Sequence, residues 1–267
     1  MARRLMDCRP LCGHPWVLET ASTPAEKARA LRLRFEVFFR EEGYGPPNAT
    51  EDVDRFDDWA DHIMVRNEET DELVAVCRAI PGIKAVERGG FYGNHQFDYA
   101  PLAEIAPAIL QGSRTCVAKP YRTGPAIQYL SYGMELLLRE YRCGWFLGTE
   151  SFTPVDRADL NVIHSYLAKY GADPEFAVAA TPAGFVTGLE TVAVTEADVR
   201  RLSPVIRMDL HMGFRSCGPP AWDPEFGSYD VLMLGRRDRL TRVYLNYVGR
   251  IERVIAAAET VGVEAVK

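Results

Sequence analysis

A basic residue and a glycine stand where a predicted strand is followed by a predicted helix. Arg122, Thr123 and Gly124 lie in this junction, residues 117–127. Unpaired amides at a helix start carry about half a positive charge and attract anions, and an arginine adds a bidentate contact to phosphate. The junction predicts a site for the phosphate of coenzyme A or 4′-phosphopantetheine, although the same residues also suit an ordinary strand-to-helix turn.

The elements on either side of this junction follow from hydrophobic periodicity. Residues 113–117 and 145–152 are predicted strands, and an amphipathic helix from Gly124 or Pro125 to Tyr141 connects them. A strand, a helix and a second strand form the crossover expected of neighbouring near-parallel strands. The predicted apolar face of the helix consists of Ile127, Leu130, Met134, Leu137 and Leu138.

Upstream of the junction, the sequence predicts a helix and a hairpin. Thr23 and Pro24 begin the helix, because a hydroxyl caps free amides and proline loses no needed donor there. The helix is expected to end near Gly43, and residues 62–66 and 73–80 are expected to pair around a turn. The predicted apolar positions of the helix are Ala28, Leu31, Phe35, Phe38 and Phe39.

The remaining elements complete a mixed α/β prediction with one domain over residues 21–267. Residues 1–20 are expected to be an N-terminal arm or an edge segment. Further predictions are a short, proline-interrupted helix over residues 102–109, helices over 156–170 and 195–212, a strand over 230–234 and a C-terminal helix over about 238–259.

Composition excludes several classes of protein. The 267 residues are 47% apolar and carry a formal charge of −6, with 31 basic residues among 37 acidic ones, so no basic field is available for a nucleic acid. No run approaches the roughly eighteen apolar residues of a membrane-spanning helix. Six irregularly spaced cysteines favour reduced thiols in the cytoplasm, and no complete metal-ligand set is predicted.

Residues 31–230 resemble a known family at several spaced positions. Val117-Ala-Lys-Pro120-Tyr-Arg122-Thr-Gly124 resembles the acyl-donor turn of the GNAT superfamily, with one residue fewer than the usual R-x-x-G-x-G/A spacing. Gly89-Gly-Phe-Tyr92 and Gly218-Pro-Pro-Ala-Trp-Asp223 are similar to the branch of ornithine N-acyltransferases and N-acyl amino acid synthases, which is related to acyl-homoserine-lactone synthases. The resemblance implies a GNAT fold: α/β (α+β), with a mixed central sheet whose fourth and fifth strands splay, flanked by helices.

The resemblance also implies the two substrates. The donor is a long-chain acyl group on acyl carrier protein or coenzyme A, with the acyl-4′-phosphopantetheine arm lying between the splayed strands. This arm is a co-substrate, so no tightly bound cofactor is expected. The acceptor is the amine of an amino acid, and the product is an N-acyl amino acid or a lyso-aminolipid precursor. These substrates imply a cytoplasmic enzyme, with peripheral contact at the inner membrane face.

A shared set of charged residues carries much of this resemblance. Arg34 and Asp54 with Arg78 are predicted to bind the acceptor, together with His95 from a separate loop. The alternative is a buried ion-pair network that fastens the loop onto the sheet. The set consists of Arg34, Asp54, Asp57, Arg78, Ser113 and Arg114.

The proton acceptor is less obvious, because Gln111 stands where this branch commonly has a glutamate. We therefore expect Gln111 to orient the acceptor, and Glu150, or Asp57 through water, to take the proton. Backbone amides near Cys116 and Val117 are expected to stabilise the oxyanion. The predicted catalytic set is Glu150, Gln111, Asp57 and Arg114, and the predicted donor-binding set is Cys116, Val117, Arg122, Thr123 and Gly124.

Two rival functions stay open at this point. An acyl-homoserine-lactone synthase would use S-adenosylmethionine as its acceptor and release a lactone. A catalytically weak GNAT-like module would only bind acyl carrier protein or a membrane surface, and Gln111 and the short turn at Arg122 favour it.

Overall fold

Helices and strands alternate along the chain, as predicted for a mixed α/β fold. The computed structural model describes residues 2–45 and 48–264. The strands are β1 (Arg3–Asp7), β2 (Trp16–Thr20), β3 (Asp61–Asn67), β4 (Leu73–Pro81), β5 (Ile109–Val117), β6 (Trp145–Phe152), β7 (Arg215–Ser216), β8 (Ala221–Asp223) and β9 (Ser228–Arg236). The helices are α1 (Arg9–Cys12), α2 (Pro24–Phe35), α3 (Gly82–Glu87), α4 (Ala126–Glu140), α5 (Arg157–Tyr166), α6 (Pro204–Met212) and α7 (Arg242–Glu264).

Residues 1–80, 112–141 and 242–267 form the first of two compact units. Strands β1, β2, β3 and β4 pair in antiparallel order, and the β3–β4 hairpin confirms the sequence prediction. The last six residues of β5 follow β4 in the same unit. β1 is an edge strand, which fits the edge-segment alternative for this part of the chain, and β2 is an interior strand whose five residues are all buried.

The start of α2 agrees with its predicted cap. The amide of Glu26 donates to Thr23 Oγ1, and the Glu26 carboxylate accepts from the Thr23 amide. After Phe35 the chain continues as a π-helical turn to Glu41. The predicted apolar face was wrong at Ala28, which is exposed, because the buried face of this helix contains Arg34.

Helix α4 packs its glycine against the sheet of the first unit. A Cβ on Gly133 would lie 2.8 Å from Ile63 Cγ2, so this close approach needs a residue without a side chain. Leu130, Leu137 and Leu138 are buried as predicted, whereas Ile127 is 49% exposed and does not belong to the buried face. Tyr244 of α7 donates to Glu135 Oε2 at 2.7 Å, which ties the terminal helix to α4.

Residues 81–111 and 142–241 form the second unit. The first three residues of β5 pair in parallel with β6, from Ile109–Trp145 to Gln111–Leu147. Strand β9 runs antiparallel to β6 over its full length, and β7 and β8 pair with β9. Helices α5 and α6 cover one face of this sheet around a core that includes Leu160, Ile206 and Met233.

Two predicted helices of the second unit were wrong. Residues 102–109 form no continuous helix: 3₁₀ turns over Ala100–Leu102 and Ala106–Ala108 lead into β5 at Ile109, and each turn contains a proline. The expected helix over residues 195–212 divides into a 3₁₀ helix, Glu196–Arg201, and α6. The Ser203 side chain caps the start of α6 by accepting a hydrogen bond from the Ile206 amide. Pro204, the next residue, prevents a continuous helix.

Candidate active site

Arg34 lies at the centre of a charged cluster in the first unit. Its side chain is fully buried on α2, and its Nε donates to Asp52 Oδ2 at 2.8 Å. Its Nη1 and Nη2 donate to the two carboxylate oxygens of Asp57, at 2.6 and 3.3 Å. A fork-shaped guanidinium suits such paired acceptors. Arg34 therefore holds both ends of the loop segment between residues 52 and 57.

Arg78 of β4 joins the same loop from the sheet. Its Nε donates to Ser113 Oγ at 2.9 Å, and its Nη1 donates to Asp54 Oδ1 at 2.5 Å and to Asp57 Oδ1 at 3.0 Å. The guanidinium also lies 5.4 Å from the ring centroid of Phe56. Four charged residues of the predicted set, Arg34, Asp54, Asp57 and Arg78, therefore share one network, with Ser113 as a hydroxyl partner.

Arg114 enters the network from a backbone irregularity in β5. Its φ is 52°, which is uncommon for a residue with a side chain. Arg114 Nε lies 3.3 Å from Asp52 Oδ1, and Nη2 lies 3.8 Å from Asp54 Oδ2. Three arginines and three aspartates thus balance in formal charge. Sequence reasoning missed Asp52, because nothing in its local pattern distinguishes it from the other acids of this polar loop.

The charge balance determines how the cluster titrates. Burial would raise the pKa of Asp57, but Arg34 and Arg78 lower it to about 2. Burial lowers the pKa of the neighbouring His62 to about 4, which keeps that imidazole neutral. An aspartate with a pKa near 2 is a poor proton acceptor at neutral pH. The geometry therefore disfavours the base role predicted for Asp57 and supports the structural alternative for this network.

The predicted donor turn occupies the surface before α4. Arg122 donates through Nε to the Val117 carbonyl at 3.1 Å, and its Nη2 contacts Glu41 Oε2 at 2.5 Å. Thr123 and Gly124 are exposed, and Pro125 precedes the helix without any side-chain cap on its amides. The amides at the helix start are therefore available to an anion, whereas the Arg122 guanidinium is already paired with the Glu41 carboxylate.

Cys116 lies in an apolar cluster rather than in a reactive setting. Its side chain is buried with Ala30, Val37, Met64 and Val76. Burial raises the pKa of its thiol well above the usual range. A thiol that stays protonated is a weak nucleophile, so this setting does not favour a nucleophilic role for Cys116.

Gln111 is fully buried in the second unit, and its side chain forms two hydrogen bonds with the backbone of Tyr92. The Tyr92 amide donates to Gln111 Oε1 at 2.8 Å, and Gln111 Nε2 donates to the Tyr92 carbonyl at 2.9 Å. Tyr99 Oη donates to the same carbonyl at 2.7 Å. The Gln111 side chain thus holds the segment around Tyr92, and its action on an acceptor stays a prediction.

Glu150 of β6 forms a carboxyl pair with Asp209 of α6. The two half-buried side chains share a hydrogen bond. Burial and the nearby charges of Asp209 and Asp230 raise the pKa of Glu150 well above its ordinary value. Burial raises the pKa of Asp209 to about 7, although the hydrogen bond from Glu150 opposes this shift. Such a pair holds and releases one proton near neutral pH.

His95 is paired with an aspartate that the sequence did not place beside it. His95 Nε2 lies 4.0 Å from Asp223 Oδ1, and that carboxylate raises the pKa of the imidazole. The residue after His95 is Gln96, and its Nε2 donates to Asp230 Oδ2 at 2.9 Å. Asp209, Asp223, Asp230 and Gln96 were all missed as site residues, because each meets its partner only through long-range folding.

The structure thus places the predicted site residues in two groups, one in each unit. The first unit holds the Arg34–Asp57–Arg78–Arg114 network and the turn at Arg122. The second unit holds Gln111, His95 and Glu150. Among residues 2–45 and 48–264, no group of histidine, cysteine and acidic side chains is arranged to hold a metal ion, and no helix has the length and apolarity needed to cross a membrane.

Residues 33–132 match the model of the Acetyltransferase (GNAT) domain. The L-ornithine N(alpha)-acyltransferase of Rhodobacter capsulatus is 30% identical over 166 residues, which cover 56% of this chain; the chain spans 64% of the length of that relative. The protein of the same name from Brucella abortus is 26% identical over 247 residues, or 86% of this chain and 87% of the relative. FeeM, an N-acyl amino acid synthase from uncultured soil microbes, has 12% identity and a TM-score of 0.49, covering 86% of this chain and 97% of its own.

Proposed function

Because this chain carries a GNAT acetyltransferase domain, as its sequence predicted, we propose that it is an N-acyltransferase acting on the amine of an amino acid. The observation that carries the proposal is the domain match over residues 33–132, which includes the Arg34 network and the turn at Arg122. Two relatives named L-ornithine N(alpha)-acyltransferase support an amino-acid acceptor. The product is then an N-acyl amino acid or a lyso-aminolipid precursor.

The proposed donor is a long-chain acyl thioester on acyl carrier protein or coenzyme A. The uncapped start of α4 supplies amides for the donor phosphate. Arg122 contributes only when it leaves Glu41, so phosphate and Glu41 compete for it. Acyl carrier protein as the partner, the cytoplasmic location and peripheral contact with the inner membrane remain predictions from the sequence.

The proposed chemistry is direct transfer. The neutral acceptor nitrogen attacks the thioester carbonyl carbon, an N–C bond forms, and the C–S bond breaks. One amine proton passes to Glu150, and the departing sulfur takes up a proton. The carboxyl pair supports Glu150 in this role, because a carboxyl group whose pKa is raised takes up a proton more readily than an ordinary carboxylate does. Gln111 acts as a positioning residue through Tyr92.

The test is acyl transfer by the full chain. Purified protein is mixed with palmitoyl-loaded acyl carrier protein, or with palmitoyl-coenzyme A, and with a panel of amino acids; free thiol and the N-acyl product are measured. We expect ornithine to be acylated. Absence of thiol release with every donor and acceptor would contradict the function and favour a binding module, and a lactone product from S-adenosylmethionine would favour a homoserine-lactone synthase.

The base assignment makes a separate prediction. Glu150→Gln should lower kcat by about 100-fold or more. In the wild type, activity should rise with pH through about 7 as the carboxyl pair releases a proton. The variant should lose most of this rise. The control is Glu104→Gln, which removes an exposed carboxylate. If Glu150→Gln keeps both the turnover and the pH profile of the wild type, Glu150 is not the proton acceptor.

A further inference from the structure

Asp230 is a buried carboxylate whose partners carry no positive charge. It lies on β9 with 2% of its surface exposed. Gln96 Nε2 donates to its Oδ2 at 2.9 Å, Ser228 Oγ donates to its Oδ1 at 3.1 Å, and Ser151 is its cross-strand partner on β6. The Gln96 amide and the Ser228 hydroxyl satisfy the oxygens as hydrogen-bond acceptors, but they leave the charge uncompensated.

The charges around Asp230 reinforce this imbalance. Asp223 lies near it, and Glu150 of the carboxyl pair also feels its charge. His95 has an electrostatic contact with Asp230, but its main partner is Asp223. Burial raises the pKa of Asp230, in contrast to Asp57, which two arginines neutralise. A buried charge of this kind is costly unless a cation binds beside it.

Gln96 supplies the second observation. Its side chain is fully buried, and its Oε1 has no hydrogen-bond partner in the described chain, although its Nε2 is bonded to Asp230. A Cβ added to Gly93 would lie 3.6 Å from Gln96 Oε1, 3.6 Å from Thr149 Cγ2 and 3.1 Å from Tyr99 Oη. The glycine therefore preserves space beside an unused acceptor, and a buried acceptor left unpaired lowers stability unless a donor occupies that space.

We propose that Asp230 and Gln96 bind the side-chain ammonium group of a diamino-acid acceptor. An ammonium group donates three hydrogen bonds, and Asp230, Gln96 Oε1 and the Ser151 hydroxyl offer three acceptors of the right kind. Ser151 is exposed on β6 and is the cross-strand partner of Asp230, so the carboxylate lies beside a residue that reaches the surface. The inference rests on the proposed function and adds to it the group that distinguishes ornithine from an apolar amino acid of the same length.

A pair of matched acceptors tests this binding site. Norvaline has the carbon chain of ornithine without the terminal amine, so it cannot use the ammonium site. We expect the wild type to prefer ornithine by about 30-fold or more in kcat/KM, as the loss of a buried charge contact implies. Asp230→Asn should remove most of that preference by raising KM for ornithine, while kcat/KM for norvaline stays within about threefold of the wild type.

The control is Asp238→Asn, which removes an equal charge from an exposed surface pair with Arg236. It should leave both substrates unchanged. The inference is overturned if the wild type shows no preference for ornithine, or if Asp230→Asn lowers activity equally with both acceptors. Transfer to norvaline but not ornithine would also overturn it, while leaving the proposed N-acyltransferase function intact.

A binding measurement separates the inference from the reaction. Millimolar ornithine without any acyl donor should raise the melting temperature of the wild type, whereas norvaline should not. Asp230→Asn should lose this shift and, because an uncompensated buried charge is removed, should melt no lower than the wild type in the absence of ligand. A variant that melts lower, or that keeps the ornithine shift, would show that Asp230 is a structural residue. Failure of acyl transfer with an intact ornithine shift would leave this inference standing and overturn only the reaction.

Discussion

The buried acidic residues of the two units differ in their partners and in the direction of their pKa shifts. In the first unit, Asp57 accepts from two buried arginines and has a pKa of about 2. In the second unit, Asp230 has only neutral hydrogen-bond partners, and burial beside Asp209 raises the pKa of Glu150. Paired charges stabilise a loop, whereas carboxyl groups with raised pKa values are suited to binding cations and moving protons.

Asp57→Asn is expected to destabilise the protein strongly. The substitution leaves Arg34 and Arg78 buried with one charged partner fewer each, and breaking a buried pair in this way costs about 3–5 kcal/mol. The free energy of unfolding from urea titration measures the effect. Asp58→Asn is the matched control, because Asp58 is the next residue and is exposed. Equal stability of the two variants would contradict the role given to the network.

At the scale of elements, close backbone approaches decide where helices begin. Gly82 begins α3, and a Cβ there would overlap the Ala106 carbonyl oxygen and lie 2.7 Å from that of Ile109. Backbone atoms cannot rotate away as a side chain does, so the 3₁₀ turn before β5 must shift to admit a methyl group.

Gly82→Ala should therefore destabilise the protein by about 3 kcal/mol or more, through overpacking that the backbone cannot relieve. Gly144→Ala offers a control in the same unit, since a Cβ at Gly144 has no atom within 4 Å. That variant should be neutral or stabilised by about 0.4–1 kcal/mol, because alanine restricts the unfolded chain. The melting temperatures of both variants test the pair, and a Gly82→Ala protein as stable as the wild type would refute the packing argument.

At the scale of the whole molecule, stability should be highest at mildly acidic pH. Asp209 has an ordinary pKa of 3.8 and a folded value of about 7, so the native state binds more protons than the unfolded state between these values. Stability then falls as pH rises through this window. The pKa of Asp57 is lowered from 3.8 to about 2, so its stabilisation is lost as pH falls from about 4 toward 2.

The melting temperature should therefore peak near pH 5 and be lower at pH 8. With solvent screening of the half-buried pair allowed for, the difference is about 1 kcal/mol, or roughly 2–4 °C. Asp209→Asn should flatten the slope between pH 5 and pH 8, whereas Asp238→Asn should not. A melting temperature that rises steadily from pH 5 to pH 8 would show that the carboxyl pair does not retain its proton.

Local patterns were sufficient for much of the fold. The cap at Thr23, the hairpin of β3 and β4, and the crossover from β5 through α4 to β6 depend on neighbouring residues and on periodicity, which are visible along the chain. Predictions failed where a local pattern was overruled, as at the prolines of residues 100–108 and on α2, where an arginine takes a core position. Hydrophobic periodicity predicts which apolar residues are buried. It cannot predict a buried arginine, since that residue is buried only together with its charged partners.

Motif spacing along the chain was sufficient to predict a GNAT domain, which the domain model matches over residues 33–132, and to single out the turn at Arg122 and the charged set around Arg34. What these charges do depends on contacts that form only in the folded protein. Gln96 and Asp230 are 134 residues apart, and Asp57 meets Arg78 across 21 residues. Two factors decide whether a cation neutralises an acidic side chain or its pKa is raised: partners at such separations and the exclusion of water. The local sequence predicts neither factor.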